Sequence, residues 1–211
     1  DQINEEINSS DNIWHVKFHG ADQYVSSTPL KLILERPCLI ATHANDEVLT
    51  PDHGYPMRII LPGIIGARNV KWIESIELSK EISDSPWNKN YYNNSEGENI
   101  QNFPMQSVIL RHKILASNKI LIEGVAYSNG IDLDKVEVFD GVKWNVTKLE
   151  DSLGKYSWRR WSIILDNESN IYYSRATDKM NNIQPKKSSK QNGYIYNGYG
   201  ILEIENEKLI K

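Results

Sequence analysis

The stretch "HGYPMRIILPGIIGARNVKW", residues 53–72, sets His53, Arg58, Arg68 and Lys71 beside three glycines, all flanking two apolar runs. Cationic side chains of this kind grip oxyanions, and a guanidinium does so with two parallel hydrogen bonds. Glycines between them allow a turn to aim consecutive backbone N–H groups at one point. His53 and Gly54 end a loop, Tyr55-Pro56 make a turn, and Arg58 follows on a strand whose Met57 and Ile59 face the other way. Pro62 and Gly63 stop that strand, and Gly66 frees the chain before Arg68, Asn69 and Lys71. The chemistry on offer is capture of a compact anion. A basic hairpin with structural glycines is the plainer reading of the same residues.

The elements that must position this turn can be read from periodicity. "IWHVKF" alternates apolar and polar side chains and predicts a short strand. In "STPLKLILER", Ser27 or Thr28 is a plausible cap and Pro29 a first helical residue, which predicts a two-turn helix. "PCLIATHA" predicts a buried strand, "NDEVLTPDHGYP" a loop, and "MRIILP" and "VKWIESIELSK" two further strands. Residues 81–102 are nearly free of aliphatic side chains and dense in Asn, Ser and Gly, which marks a linker or a long functional loop. Beyond them come "MQSVILRH", "KILIEGVAYS", "KVEVFD", "SWRRWSIIL", "IYYSRATD" and "YGILEIE", separated by turn signals. Short strands at such spacing predict an immunoglobulin-like sandwich. The expected organisation is a polar arm over 1–12, disordered or displaced, an α+β portion over 13–102, and an all-β domain over 103–211.

At 211 residues and 39% hydrophobic content the chain has room for one large core or two modest ones. A formal charge of -4 leaves no overall basic excess for nucleic acid or a membrane surface, so an anion site must be a local cluster. No apolar run approaches the ~20 residues of a membrane span, and the acidic opening is neither a signal peptide nor an Arg-rich transit peptide. Cys38 is the single cysteine; it excludes an intrachain disulfide and a cysteine-based metal site within this chain, and reads as core. The Asn-x-Ser/Thr triplets at Asn8, Asn93, Asn145 and Asn167 are what this composition gives by chance. His15 and His19 share a strand face but lack a third ligand, and "PKKSSKQ" reads as a solvated loop. Trp158 and Trp161 read as packing residues, with Arg159 and Arg160 free to pair with carboxylates at a dimer contact. No nucleophile motif such as G-x-S-x-G is present, which argues against a hydrolase.

From Asp52 to Trp72 the sequence resembles, without a gap, the molybdopterin-binding segment of the sulfite oxidase and eukaryotic nitrate reductase family. The likeness extends to "HVKFHGAD" and "SPWNKNYY" and, downstream, to "FPMQSVI", "IEGVAYSNG", "SWRRWSI" and "RATDKMNNIQP". It covers the chain from about residue 13 and weakens towards the end. The resemblance implies the sulfite oxidase fold: the C-terminal part of a molybdopterin domain, then a dimerisation domain. It implies that His53, Arg58, Asn69, Val70 and Lys71 hold the pterin and phosphate of the molybdenum cofactor, with Asp22 on the pterin's polar edge. Tyr92 matches the family tyrosine beside the metal and substrate. The implied reaction moves an oxygen atom to or from a small oxyanion, sulfite above all, with electrons passing to a carrier such as a haem protein. The implied partners are an N-terminal half or other subunits and a second copy, and the implied compartment is the mitochondrion, with peroxisome and cytosol open.

The chain also departs from the family pattern. The metal-binding cysteine motif expected upstream of "HVKF" is absent from this sequence, Tyr199 stands in an arginine's place, and Lys208 is the only basic residue near a second one. Two readings follow: part of an enzyme completed by another segment, or a degenerate, non-catalytic subunit of a larger complex.

Overall fold

The computed structural model describes residues 14–94, 96–188 and 196–204. The polar arm over 1–12 and Lys208 lie outside them. The chain divides into two units, residues 1–102 and 103–211. The first runs β1 (His15–Gly20), β2 (Val25–Pro29), α1 (Leu30–Leu34), β3 (Leu39–Ala41), β4 (His43–Ala44), β5 (Glu47–Val48), β6 (Arg58–Ile60) and β7 (Ile73–Ser79). β1 is the centre of an antiparallel sheet of order β2-β1-β7, while β3 pairs with β6 and β4 with β5. The alternation read from the sequence holds in β1: Val16 and Phe18 are buried and His15, Lys17 and His19 take the other face. Val16 and Phe18 pack with Leu30, Ile59, Leu61, Ile64, Val70 and Ile73 in one core. Ile59 and Val70 flank the basic turn, and their burial anchors it.

Four expectations for this unit do not hold in full. Ser27 and Thr28 do not cap a helix; they are wholly buried in β2, and α1 spans five residues with no side-chain cap. Among the described residues it is the only α-helix, so the unit is β-rich where a fuller α+β mixture was expected. Cys38 is exposed, as are Leu39 and Ile40 at 53% and 54%, because β3 pairs only with β6 and lies outside the core that covers Ile59 of β6. Nor do residues 81–102 behave as a linker: Ser83, Asn88, Ile100 and Gln101 are buried around a π-helical turn at Trp87–Tyr91.

The second unit runs β8 (Gln106–Leu115), β9 (Lys119–Tyr127), β10 (Leu133–Phe139), β11 (Trp144–Val146), β12 (Lys148–Leu149), β13 (Arg159–Asp166), β14 (Ile171–Asp178) and β15 (Gly200–Glu203). These form two four-stranded antiparallel sheets, β12-β13-β9-β8 and β11-β10-β14-β15. Ile120, Ile122 and Trp161 of the first share one core with Val136, Val138 and Tyr172 of the second. Gly124 lies opposite Trp161 in the β9–β13 register, where a β-carbon would collide with the indole ring and with the Val108 carbonyl. Trp161 is thus the packing residue expected, while Trp158 remains 39% exposed and rests on Tyr127 and Phe103. Arg159 donates to the carbonyls of Glu150 and Leu133 rather than to carboxylates.

Candidate functional site

The basic turn is built by pairing the start of β6 against the residues before β7. Arg58 and Lys71 form an isolated antiparallel bridge, and the Ile59 N–H donates to the Val70 carbonyl at 2.8 Å. Two like charges therefore stand directly opposite, an arrangement that destabilises a sheet unless something neutralises them. Gly54 makes it possible. Its φ is +104°, and a β-carbon there would lie 3.1 Å from the Cβ atoms of both Arg58 and Lys71. Gly20 does the same from the other side, since a β-carbon would lie 2.8 Å from the Lys71 carbonyl and from Asp22 Oδ1.

The result is a cavity of about 160 Å³ lined by Asp22, Tyr24, Arg58, Gly66, Ala67, Asn69, Val70, Lys71 and Trp72. Arg58 Nη1 and Nη2 donate to the carbonyls of His53 and Asn69, both at 3.2 Å, while its buried Nε has no partner. Loss of water lowers the Arg58 pKa, so its charge is held at a cost. Lys71 Nζ donates to the Asp52 carbonyl at 2.9 Å and lies 4.6 Å from the centre of the Trp72 ring. Among the described residues neither cation is ion-paired with a carboxylate. Trp72 itself is held at φ +52°, a left-handed conformation that costs a bulky residue on the order of 1–3 kcal/mol. This strain sits on the cavity wall.

Of the residues singled out in the sequence, Asp22, Arg58, Asn69, Val70 and Lys71 meet at this cavity. His53 contributes its carbonyl to Arg58, but its ring pairs with Thr50 Oγ1 at 2.7 Å and is not part of the lining. Asp22 Oδ1 accepts the Tyr24 N–H at 3.0 Å. Tyr92 also stands off the lining. The expected convergence of backbone amides does not occur at Arg68 and Asn69, whose N–H groups close a tight turn onto Ile65 and Gly66. The sequence reading missed Tyr24, which lines the cavity, donates its hydroxyl to the Ala67 carbonyl at 2.8 Å and stacks on Trp87. Burial, then the nearby Tyr92, pushes the Tyr24 pKa up to about 12.

Arg68 departs most from the anion-gripping role. It is 0% exposed, turned away from the cavity, and spends its donors on Ser26 Oγ, Asn99 Oδ1 and the carbonyls of Trp87 and Ile100. All of these are neutral. Burial draws its pKa down to about 10.

Residues 2–87 match a family profile described as the oxidoreductase molybdopterin binding domain. The mitochondrial sulfite oxidase of Drosophila melanogaster is 32% identical over 96% of this chain and 42% of its own length. A nitrate reductase [NADPH] of Mycosarcoma maydis is 49% identical over 33% of this chain and 8% of its own length. The chain thus spans about two fifths of the sulfite oxidases it matches. In fold, the sulfane dehydrogenase SoxCD of Paracoccus pantotrophus superposes with a TM-score of 0.76 at 20% identity, covering 93% of this chain and 58% of that one. With the ungapped motif from Asp52 to Trp72, these likenesses put the chain in the sulfite oxidase family of molybdopterin-binding proteins.

Proposed function

We propose that this chain is part of a molybdenum-cofactor oxidoreductase of the sulfite oxidase type, acting on a small oxyanion such as sulfite. The observation that carries the reading is the pair Arg58 and Lys71, opposed across one bridge around one cavity and, among the described residues, not ion-paired with any carboxylate. The orphaned Arg58 Nε is a donor left ready for an acceptor. A buried, unsatisfied donor costs about 1–3 kcal/mol, and a phosphate removes that cost. The fit is partial in size: ligand sites enclosing a whole small molecule usually measure about 300–1,000 Å³, so a 160 Å³ cavity accommodates a phosphate-sized group and one edge of a larger ligand. Another segment or chain forms the remaining wall, in keeping with the exposed Leu34, Leu39, Ile40 and Val48 of this unit.

In this reading Arg58 and Lys71 hold the phosphate, the Asn69–Lys71 segment lines it, and Asp22 accepts hydrogen bonds from the pterin's amino edge. The His53 carbonyl orients Arg58. Tyr92 donates its phenol to charge developing on the oxyanion. The bound group supplies the oxygen-atom and electron exchange, and the protein's share is binding, orientation and electrostatics. Residues 103–211 form an immunoglobulin-like dimerisation domain, supported by the single core shared by their two sheets. A haem protein or similar carrier takes the electrons, and the mitochondrion is the compartment by analogy with the named relatives.

One observation favours the second reading, a non-catalytic subunit. Tyr199, in the place of a family arginine, packs edge-on against Trp144 at 5.3 Å, and Arg175 lies over the same ring at 3.9 Å. The test is molybdenum and released-pterin analysis of the intact protein produced in cells that make the cofactor, beside Arg58→Ala/Lys71→Ala. Pterin in the wild type and at least a ten-fold loss in the double variant are expected. A cofactor-free wild type would move the assignment to the structural subunit.

A further inference from the structure

The wholly buried cation of the first unit, Arg68, does not line the cavity. Arg68 belongs to the turn Gly66–Arg68, whose neighbours Gly66, Ala67 and Asn69 line the cavity. Its side chain runs the opposite way, into the Asn-rich segment. Nη1 donates to the Trp87 carbonyl at 3.1 Å, Nε and Nη2 both donate to the Ile100 carbonyl at 3.2 Å, and Nη2 reaches Asn99 Oδ1 at 3.0 Å. These acceptors bracket Tyr92 on both sides in sequence. Tyr92 is then closed into the bracket: the Ile100 N–H donates to its carbonyl at 2.7 Å, Arg68 Nη2 approaches the same carbonyl at 3.5 Å, and the guanidinium carbon lies 5.6 Å from the phenol ring centre.

A wholly buried guanidinium facing only neutral acceptors is an expensive feature, since an ion moved from water recovers its hydration only through complete hydrogen bonding. A planar fork of five donors meets several acceptors in fixed directions; a lysine ammonium cannot span them. Apart from the buried Ile100 and the stacking of Trp87 on Tyr24, the segment is held by polar contacts, with Asn88 and Gln101 bonded to the Ser27 backbone and Arg68 bonded to Trp87, Asn99 and Ile100. We propose that Arg68 is a positioning residue for Tyr92: it joins the cavity-lining turn and the tyrosine segment through one side chain, so that the two sites keep a fixed separation. The role given to Tyr92 rests on the function proposed above; the mechanical link does not.

The experiment is hydrogen exchange of the intact protein over residues 87–101, for wild type and Arg68→Lys, with pterin content and steady-state kinetics on sulfite and a one-electron acceptor. Arg68→Lys keeps a charge but loses the fork. Faster exchange by ten-fold or more confined to 87–101, with β1 and β7 unchanged, pterin retained, and kcat reduced more than KM is raised, is the expected result. Exchange in 87–101 within two-fold of wild type would overturn the proposal, whatever the activity. If Arg68→Lys does not fold, Asn99→Ala removes one acceptor and must speed exchange in the same segment; unchanged exchange there overturns the proposal equally. A wild type without pterin would sink the functional reading alone, while the exchange data would still decide the link.

Discussion

His15 shows how a single side chain writes pH into the fold. Burial, then the neighbouring Lys17, lowers its pKa below the usual 6.5, and its Nδ1 is buried without a partner. The neutral ring is therefore the form the fold accepts. Around and below pH 6.5 the unfolded chain binds a proton that the folded chain does not, so stability is full above that value and falls as the pH drops through the lowered folded pKa. Urea unfolding between pH 7.5 and 5 should show this loss, and His15→Gln should flatten it; equal slopes in both proteins would exclude His15 as the source. The two arginines of the basic motif show what a sequence leaves open at this scale. Type and spacing offered Arg58 and Lys71 as cations of one turn, and the structure brings both to one cavity. Arg68 looked equivalent, yet the tight turn Gly66–Arg68 points it inward, and its acceptors lie up to 42 residues away in the chain. Nothing local encodes that choice.

Among the elements, the strands flanking the site were readable because their alternation survives in the structure: β1 buries Val16 and Phe18, and β6 buries Ile59. The failures came where partners are remote. Ser27 resembled a helix cap because its true partners, Asn88 and the Ser83 N–H, lie about sixty positions downstream. "PCLIATHA" looked buried because apolar content reports a need for cover, not whether a second layer supplies it. The Asn-rich segment looked like a linker because polar residues usually stay in water; here Arg68, Asn88, Asn99 and Gln101 bond to one another. The turn carrying the candidate site depends on Gly54, and Gly54→Ala should strain a positive φ and wedge Arg58 from Lys71. The expected cost is about 1–3 kcal/mol, seen as a lower melting temperature together with weaker phosphate or pterin retention. A variant that melts like wild type and retains ligand would show that the contact relaxes freely.

At the scale of the whole chain, two units with separate cores predict separable damage. In the second unit Gly124 is the tightest point, since a β-carbon would meet both the Trp161 ring and the backbone of β8. Gly124→Ala should destabilise that unit by at least the ~1–3 kcal/mol typical of overpacking, while the candidate site of the first is expected to keep any pterin the wild type carries; calorimetry with pterin analysis checks both halves, and loss of that pterin would show that the units are coupled. The sequence changes composition between Glu81 and Asn102, and the contact division falls at the end of that stretch. The depth of the order just before that boundary was not legible there. Finally, Trp72 carries its indole on the cavity wall beside Lys71, so the protein has an optical probe installed where an aromatic, light-absorbing guest would arrive. Occupancy of the cavity is then something the native emission can report, with no label attached.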